Sequence, residues 1–421
     1  MSVPQRLPAS ASPQPEIIRE LRAFRWNGRE TTRAVTSVGL AKSRPIVVET
    51  FVNEFWTSKQ RAAHSLHEVS YRACFKPQLP RFFIDRFTAP GEVVYDPFMG
   101  RGTTVLEAAL AGRTPAGCDI NPLSAMLAEP RLSPPTPEDV ARRLATLDLS
   151  VATSYPKELE VFYHPETLRE ICALREYLLA SDRNGSIDGV DRWIRMVAVN
   201  RLTGHSPGFF SVYTLPPNQA TSVDAQAKIN ARRRQVPPRR DVRALIIAKT
   251  RSLLSDCDAG TRVTLLRSAN RATLLTRPAR STPQIKNGSV SLVVTSPPFL
   301  DVVDYAGDNW LRGWFGGIDI ASVEISMHRK VTEWQAAMTS VFHELARVLR
   351  PGGHVAFEVG EVRGGKVKLE EAVLPCGVAS GLEPLLVVIN AQQFTKTANC
   401  WGVRNNAQGT NTNRIVVFRK L

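Results

Sequence analysis

The chain has 421 residues, 43% of them hydrophobic, and carries 54 Lys and Arg against 39 Asp and Glu, a formal net charge of +15. That much apolar material builds a substantial core in one enlarged domain or two, and the positive balance points to a polyanion, nucleic acid first, as partner. No apolar run approaches the roughly 20 residues of a bilayer span, MSVPQRLPASASPQPE holds no signal-peptide core, and six scattered cysteines form no CxxC pair, so membrane, secreted and zinc-binding classes are set aside and a cytoplasmic protein without metal is expected.

The first fifteen or so residues, rich in Pro, Ser and Ala, read as a flexible leader, and residues 1–45 are placed outside the fold. From Ile46 to Arg131 the texture is βαβ: Glu92 to Tyr95 predicts a strand, Thr103 to Ala111 a helix and Pro115 to Asp119 a second strand. Residues 132–258 read as a mainly helical insertion, with helices around Pro165 to Ala180, Gly189 to Leu202 and Asp241 to Leu254. In residues 259–421 the α/β grammar returns, with strands at Val263 to Leu266, Val290 to Thr295 and His354 to Val359, and a helix at Glu333 to Leu349 closed by Pro351-Gly352-Gly353. Two last strands, Ile389 to Phe394 and Arg414 to Arg419, flank a polar loop.

Two loops carry the chemistry. In YDPFMGRGTTVLEAALAG (Tyr95 to Gly112) a strand runs into a tight turn and a helix; Gly100 and Gly102 let backbone approach a ligand, and Thr103 and Thr104 offer hydroxyls and amides at a helix N-terminus. The next strand ends at Asp119, where a parallel α/β fold places an acid for ribose hydroxyls. In SVSLVVTSPPFLDVVDY (Ser289 to Tyr305) a strand ends in Ser296-Pro297-Pro298-Phe299. Two prolines fix the backbone and remove two amide donors, which leaves carbonyl acceptors. The corner is similar to that of the DNA amino-methyltransferases, which implies that the Ser296 hydroxyl and the Pro297 carbonyl hold the hydrogens of an exocyclic amine and free its lone pair for attack, with Phe299 stacking on a flipped base. Taken alone, each loop also has a plain structural reading as a turn or a strand end.

Together they resemble the DNA amino-methyltransferases. DPFMGRGTT matches that family's Asp-Pro-Phe-x-Gly-x-Gly-Thr-Thr pattern, and TSPPF is similar to its (Asp/Asn/Ser)-Pro-Pro-(Tyr/Phe) motif. The resemblance implies a Rossmann-like class I methyltransferase fold, a seven-stranded and mostly parallel sheet in an α/β protein, and S-adenosylmethionine as cofactor. It places Asp96, Phe98, Gly100, Gly102, Thr103, Thr104, Asp119 and Asn121 around that cofactor, adds Lys76 and Pro77 from the similar upstream segment FKPQLPRFFIDRF, and implies double-stranded DNA as substrate. Ser in the first motif position favours cytosine N4 over adenine N6; an RNA amine, or a non-catalytic DNA-binding role, stays open. The resemblance makes a cognate restriction endonuclease a candidate partner, and the positive charge points to a nucleoid-associated protein in the cytoplasm.

Where the family often has an acid for adenine, this chain runs LLRSANRATLL, leaving Asn270 as the nearest candidate. Pro375-Cys376 copies the nucleophilic dipeptide of carbon-5 methyltransferases but follows the wrong strand, so Cys376 is assigned to packing. In the insertion, Arg232, Arg233, Arg234, Arg239, Arg240 and Arg243 form a candidate phosphate-contacting edge. Phe209, Phe210 and Tyr213 lie in a loop that could stack on bases or pack as a satellite core.

Overall fold

The computed structural model describes residues 15–40, 43–56, 63–71, 74–151, 154–214, 221–300, 304–325, 328–362, 367–391 and 412–421. Nine strands form its central sheet: β1 (Thr32–Leu40), β2 (Ser43–Asn53), β3 (Val93–Asp96), β4 (Thr114–Asp119), β5 (Thr273–Thr276), β6 (Val290–Thr295), β7 (Leu349–Val359), β8 (Leu382–Ala391) and β9 (Thr412–Lys420). Their spatial order is β1-β2-β8-β9-β7-β6-β3-β4-β5. The run from β7 to β5 is parallel, β9 lies antiparallel to β7 and β8, and β1 is antiparallel to β2. Seven of these strands make the expected Rossmann-like sheet. Between β3 and β6 the winding reverses, which opens the crevice where such folds bind ligands.

Two corrections concern the leader and the strands. Residues 16–45, expected in the leader, instead supply helix α1 (Glu16–Ala23), β1 and the start of β2; α1 buries Ile17, Ile18 and Leu21, and β1 escaped notice because most of its side chains face solvent. Val263 to Leu266 is helix, not strand: it lies within the helix Ala259–Ala269, and the third core strand is β5. Phe394 and the polar loop after it fall outside the described residues.

Helices cover both faces. α2 (Gln78–Phe87) joins α1 on one face, where Val94, Leu292, Val294 and Val417 point, and the alternate residues Tyr95, Val293, Phe357 and Phe418 point to the other. The helix after β3, α3 (Thr103–Leu110), and the helix after β4, α4 (Pro122–Ala128), begin at the carboxyl ends of those strands. The insertion contributes α5 (Pro137–Thr146), α6 (Pro165–Arg183), α7 (Gly189–Val199), α8 (Val223–Arg233), α9 (Val242–Leu253) and α10 (Ala259–Ala269). α11 (Tyr305–Gly316) follows the second motif, α12 (Val331–Val348) leads to β7, and α13 (Leu369–Ala379) leads to β8; α12 and α13 fill the second face.

The insertion is no separate body. Val105 of α3, Leu123 of α4, Ile171, Trp193 and Ile246 of the insertion and Phe315 of α11 share one continuous apolar core. Phe209 and Phe210 are buried at 6% and 0% exposure, so their loop packs inward and the satellite-core reading holds for both. Cys376 is fully buried in α13 against the Gln335 carbonyl, as a packing residue should be. Among the described residues no helix is long and apolar enough to cross a membrane.

Candidate active site

Both signature loops leave the carboxyl ends of neighbouring strands, β3 and β6, at the point where the winding reverses. Asp96, at the end of β3, is 1% exposed; its Oδ1 accepts from the Phe98 amide at 3.1 Å and from the Thr295 hydroxyl at 2.6 Å. That second bond ties the first loop to the strand carrying the second. Burial, only partly offset by these bonds, pushes the Asp96 carboxyl up to about 7. Thr104 reinforces the tie, its hydroxyl donating to the Val294 carbonyl at 3.0 Å.

The glycine turn is braced from inside the protein. Asp119 Oδ2 accepts from the Gly100 amide at 2.8 Å and Oδ1 from the Asn121 amide at 2.9 Å. Gly102 caps α3 at φ 76°, and a Cβ there would sit 2.7 Å from the Ala128 Cβ, so both the left-handed backbone and the contact with α4 require this glycine. Arg131, without exposed surface, donates to the carbonyls of Leu127, Leu66 and Arg101.

A cavity joins the two corners. Its lining includes Pro97, Phe98, Gly100, Asp119 and Asn121 from the first corner, Ser296 and Pro298 from the second, and Tyr71, Tyr305, Trp334 and Met338 around them. Asn121 is 1% exposed; its Oδ1 caps α4 by accepting from the Leu123 amide, and its Nδ2 has no partner among the described residues. An unpaired buried donor on a cavity wall calls for an acceptor from a ligand. The glycine turn, the helix N-terminus, Asp119 and this amide suit a cofactor with a carboxylate at one end and ribose hydroxyls at the other.

At the second corner the Trp334 indole donates to the Pro298 carbonyl at 2.9 Å, and among the described residues no donor reaches the Pro297 carbonyl. Glu358, a buried residue of β7, has its carboxyl near enough to the Ser296 side chain to be favoured by it in its charged form, and its Oε1 accepts from Asn413 Nδ2 at 3.1 Å. Burial holds the Glu358 carboxyl above the usual range, with the neighbouring Ser296 and Asn413 side chains opposing it.

Several expected site residues lie elsewhere. Phe299 does not line the cavity; its ring packs on Gly360 at the end of β7, where a Cβ would stand 2.9 Å from Cε2. Asn270 is an exposed cap at the end of α10, at the amino end of β5 and so at the wrong edge of the sheet for a cofactor; Pro278, Ala279 and Arg280, beyond the carboxyl end of β5, line the cavity instead. Pro77 starts α2 beside a separate shallow hollow shared with Gln78 and Arg81, and Lys76, which burial holds below the usual lysine range, does not reach the cavity. Thr103 spends its hydroxyl accepting from Arg101 Nε at 3.2 Å.

Glu358, Trp334 and Tyr71 were not singled out from sequence. A charged residue inside the apolar strand HVAFEVG was the available sign for the first. The arginine span divides: Arg239 pairs with Glu166 at 2.6 Å, Arg243 donates to the Leu144 and Leu147 carbonyls, and Arg233 covers the Tyr213 ring at 3.9 Å. Arg240 is half-buried, its backbone amide held by Thr167, while Arg232 and Arg234 are exposed and make no ion pair with a described residue.

Residues 40–129 match the family described as DNA methylase. Among curated proteins, the chain is 32% identical over 111 residues to "Type II methyltransferase M.MvaI" of Kocuria varians, 36% over 76 residues to M.MjaII of Methanocaldococcus jannaschii, and 33% over 85 residues to M.BsoBI of Geobacillus stearothermophilus. These stretches cover 26%, 18% and 20% of this chain and 23%, 14% and 17% of the relatives.

Proposed function

We propose that this chain, whose residues 40–129 match the DNA methylase family, transfers a methyl group from S-adenosylmethionine to the exocyclic amine of a base flipped from double-stranded DNA, cytosine N4 in preference to adenine N6. The observation that carries the reading is the cavity shared by Gly100, Asp119 and Asn121 with Ser296. The cofactor supplies an electrophilic methyl on a sulfonium; the remaining chemistry belongs to the protein. Asp119 keeps the turn in place through its two amide bonds and has lone pairs left for hydroxyls, while Asn121 Nδ2 donates.

On the substrate side, the Ser296 hydroxyl on the cavity wall, beside Glu358, serves as one acceptor and the carbonyl of the adjoining Pro297 as the second. Two acceptors on an amine localise its lone pair for attack, and the orienting geometry contributes most of the rate. The hydroxyl at this position, in place of an acid, favours cytosine. Base flipping is required because an amine paired inside the duplex cannot reach the corner. Arg232 and Arg234 supply phosphate contacts, Arg233 and Arg240 weaker ones.

The test is incubation of the full chain with methyl-labelled S-adenosylmethionine and, separately, duplex DNA and total RNA, followed by digestion to nucleosides. Labelled N4-methylcytosine from DNA is the expected product. Labelled N6-methyladenine would correct the base, label in RNA alone would correct the polymer, and no label in either would end the proposal. A pH profile sharpens it: because the Glu358 carboxyl titrates above the usual ~4.3 of a glutamate, turnover should fall as pH drops through that raised value, and Glu358→Gln should remove the fall.

A further inference from the structure

The segment from Ser65 to Tyr71 runs as a strap between the insertion and the glycine turn. On the insertion side, the Ser65 amide donates to Asp256 Oδ2 at 2.8 Å, the Ser65 hydroxyl to the Leu253 carbonyl at 2.8 Å, and the Ser70 amide to Asn200 Oδ1 at 2.9 Å. On the other side, Arg101 Nη1, from the turn itself, donates to the carbonyls of His67 at 3.3 Å and Val69 at 2.9 Å, and Arg131 Nη1 to Leu66 at 3.3 Å. His67 Nε2 meets Glu107 Oε1 of α3 at 2.7 Å. The strap is therefore hydrogen-bonded from both sides.

The strap delivers Tyr71. Its ring lies over the turn, with Cε1 3.6 Å from where a Gly100 Cβ would be, and it lines the cavity with Asp119 and Ser296. A side chain serving only the core would not form the wall of this cavity at its barest stretch of backbone. Asn200, 4% exposed at the end of α7, fixes the ring's approach: Oδ1 takes the amide next to Tyr71, while Nδ2 is anchored on the Met196 carbonyl at 2.9 Å. We propose that Tyr71 is a further cofactor-contacting residue and that Asn200 is a positioning residue that sets it, so that the insertion governs how tightly the glycine turn holds its ligand. The inference rests on the S-adenosylmethionine reading above.

Calorimetric titration of the full chain with S-adenosylhomocysteine tests it. Tyr71→Ala should bind about ten-fold more weakly, and Tyr71→Phe, which keeps the ring, within about three-fold of the parent. Asn200→Ala should raise the KM for S-adenosylmethionine about five-fold while kcat at saturating cofactor stays within about two-fold, a split that a general loss of fold would not give. Parent-like binding by Tyr71→Ala overturns the contact. An Asn200→Ala variant that loses kcat and KM together, or that melts below the assay temperature, overturns the positioning role. If the parent itself binds no S-adenosylhomocysteine, the functional reading falls and takes this inference with it; if the parent binds and the variants bind equally, only the inference falls.

Discussion

The glycine turn and the arginine span of the insertion are both short runs that sequence singles out, yet they are built from different material. At the turn, function resides in backbone: amides of Gly100 and Asn121 on Asp119, and a left-handed Gly102. In the span it resides in side chains, and several of these are consumed by the protein before any ligand arrives, Arg239 by Glu166 and Arg243 by the Leu144 and Leu147 carbonyls. A backbone site has its partners written close by in the chain; the worth of a charged side chain depends on neighbours that only the fold brings near.

The largest effect that would break this contrast lies at the corner facing the turn. Ser296→Ala should lower single-turnover methyl transfer by about 10²–10³-fold, on the order of 3–4 kcal/mol, with S-adenosylhomocysteine affinity unchanged by calorimetry. A comparable loss of cofactor affinity would make Ser296 part of the turn's site instead.

Next comes the pH dependence set by Asp96. Its folded value near 7 lies above the ordinary 3.8, so the folded chain binds a proton more tightly than the unfolded one. Stability is then fully present below about pH 4 and declines as pH rises toward 7, by a few kcal/mol at most. Thermal melts from pH 5 to 8.5 should show the fall, and Asp96→Asn, which keeps the Oδ1 acceptor, should flatten it.

Gly102→Ala, which must enter a left-handed conformation and meet Ala128, should cost about 2 kcal/mol in a denaturant melt. A neutral result would detach the turn's geometry from α4. The smallest effect belongs to the span: Arg232→Ala and Arg234→Ala should each weaken binding to duplex DNA a few-fold, independent of sequence, and lower the salt slope by about one. Arg239→Ala should leave the slope unchanged, because that charge is already paired.

What sequence made legible follows the same division. The strand Val290 to Thr295 is read to the residue, since a fully buried parallel strand is a bare apolar run. Val263 to Leu266 is just as apolar and β-branched, but Asp258 caps it as a helix by accepting from the Thr261 amide at 2.7 Å, and a four-residue run cannot announce its own period. β1 was illegible because an exposed edge strand shows no apolar alternation, and Asn270 was misplaced because the third core strand was drawn one element too early. At the site, Gly100, Asp119 and Ser296 were legible from local pattern, whereas Glu358, 62 positions after Ser296 (358 − 296), and Tyr71, 29 before Gly100 (100 − 71), join them only through the sheet and the strap.

The measurement that bears most directly on the account is a crystal structure of the full chain with S-adenosylhomocysteine. The sulfur should lie in the cavity that Ser296 lines, facing its Oγ, with room for one amine about 3 Å from each reacting group. A cofactor bound with its sulfur turned away from Ser296, or in another crevice altogether, would contradict it.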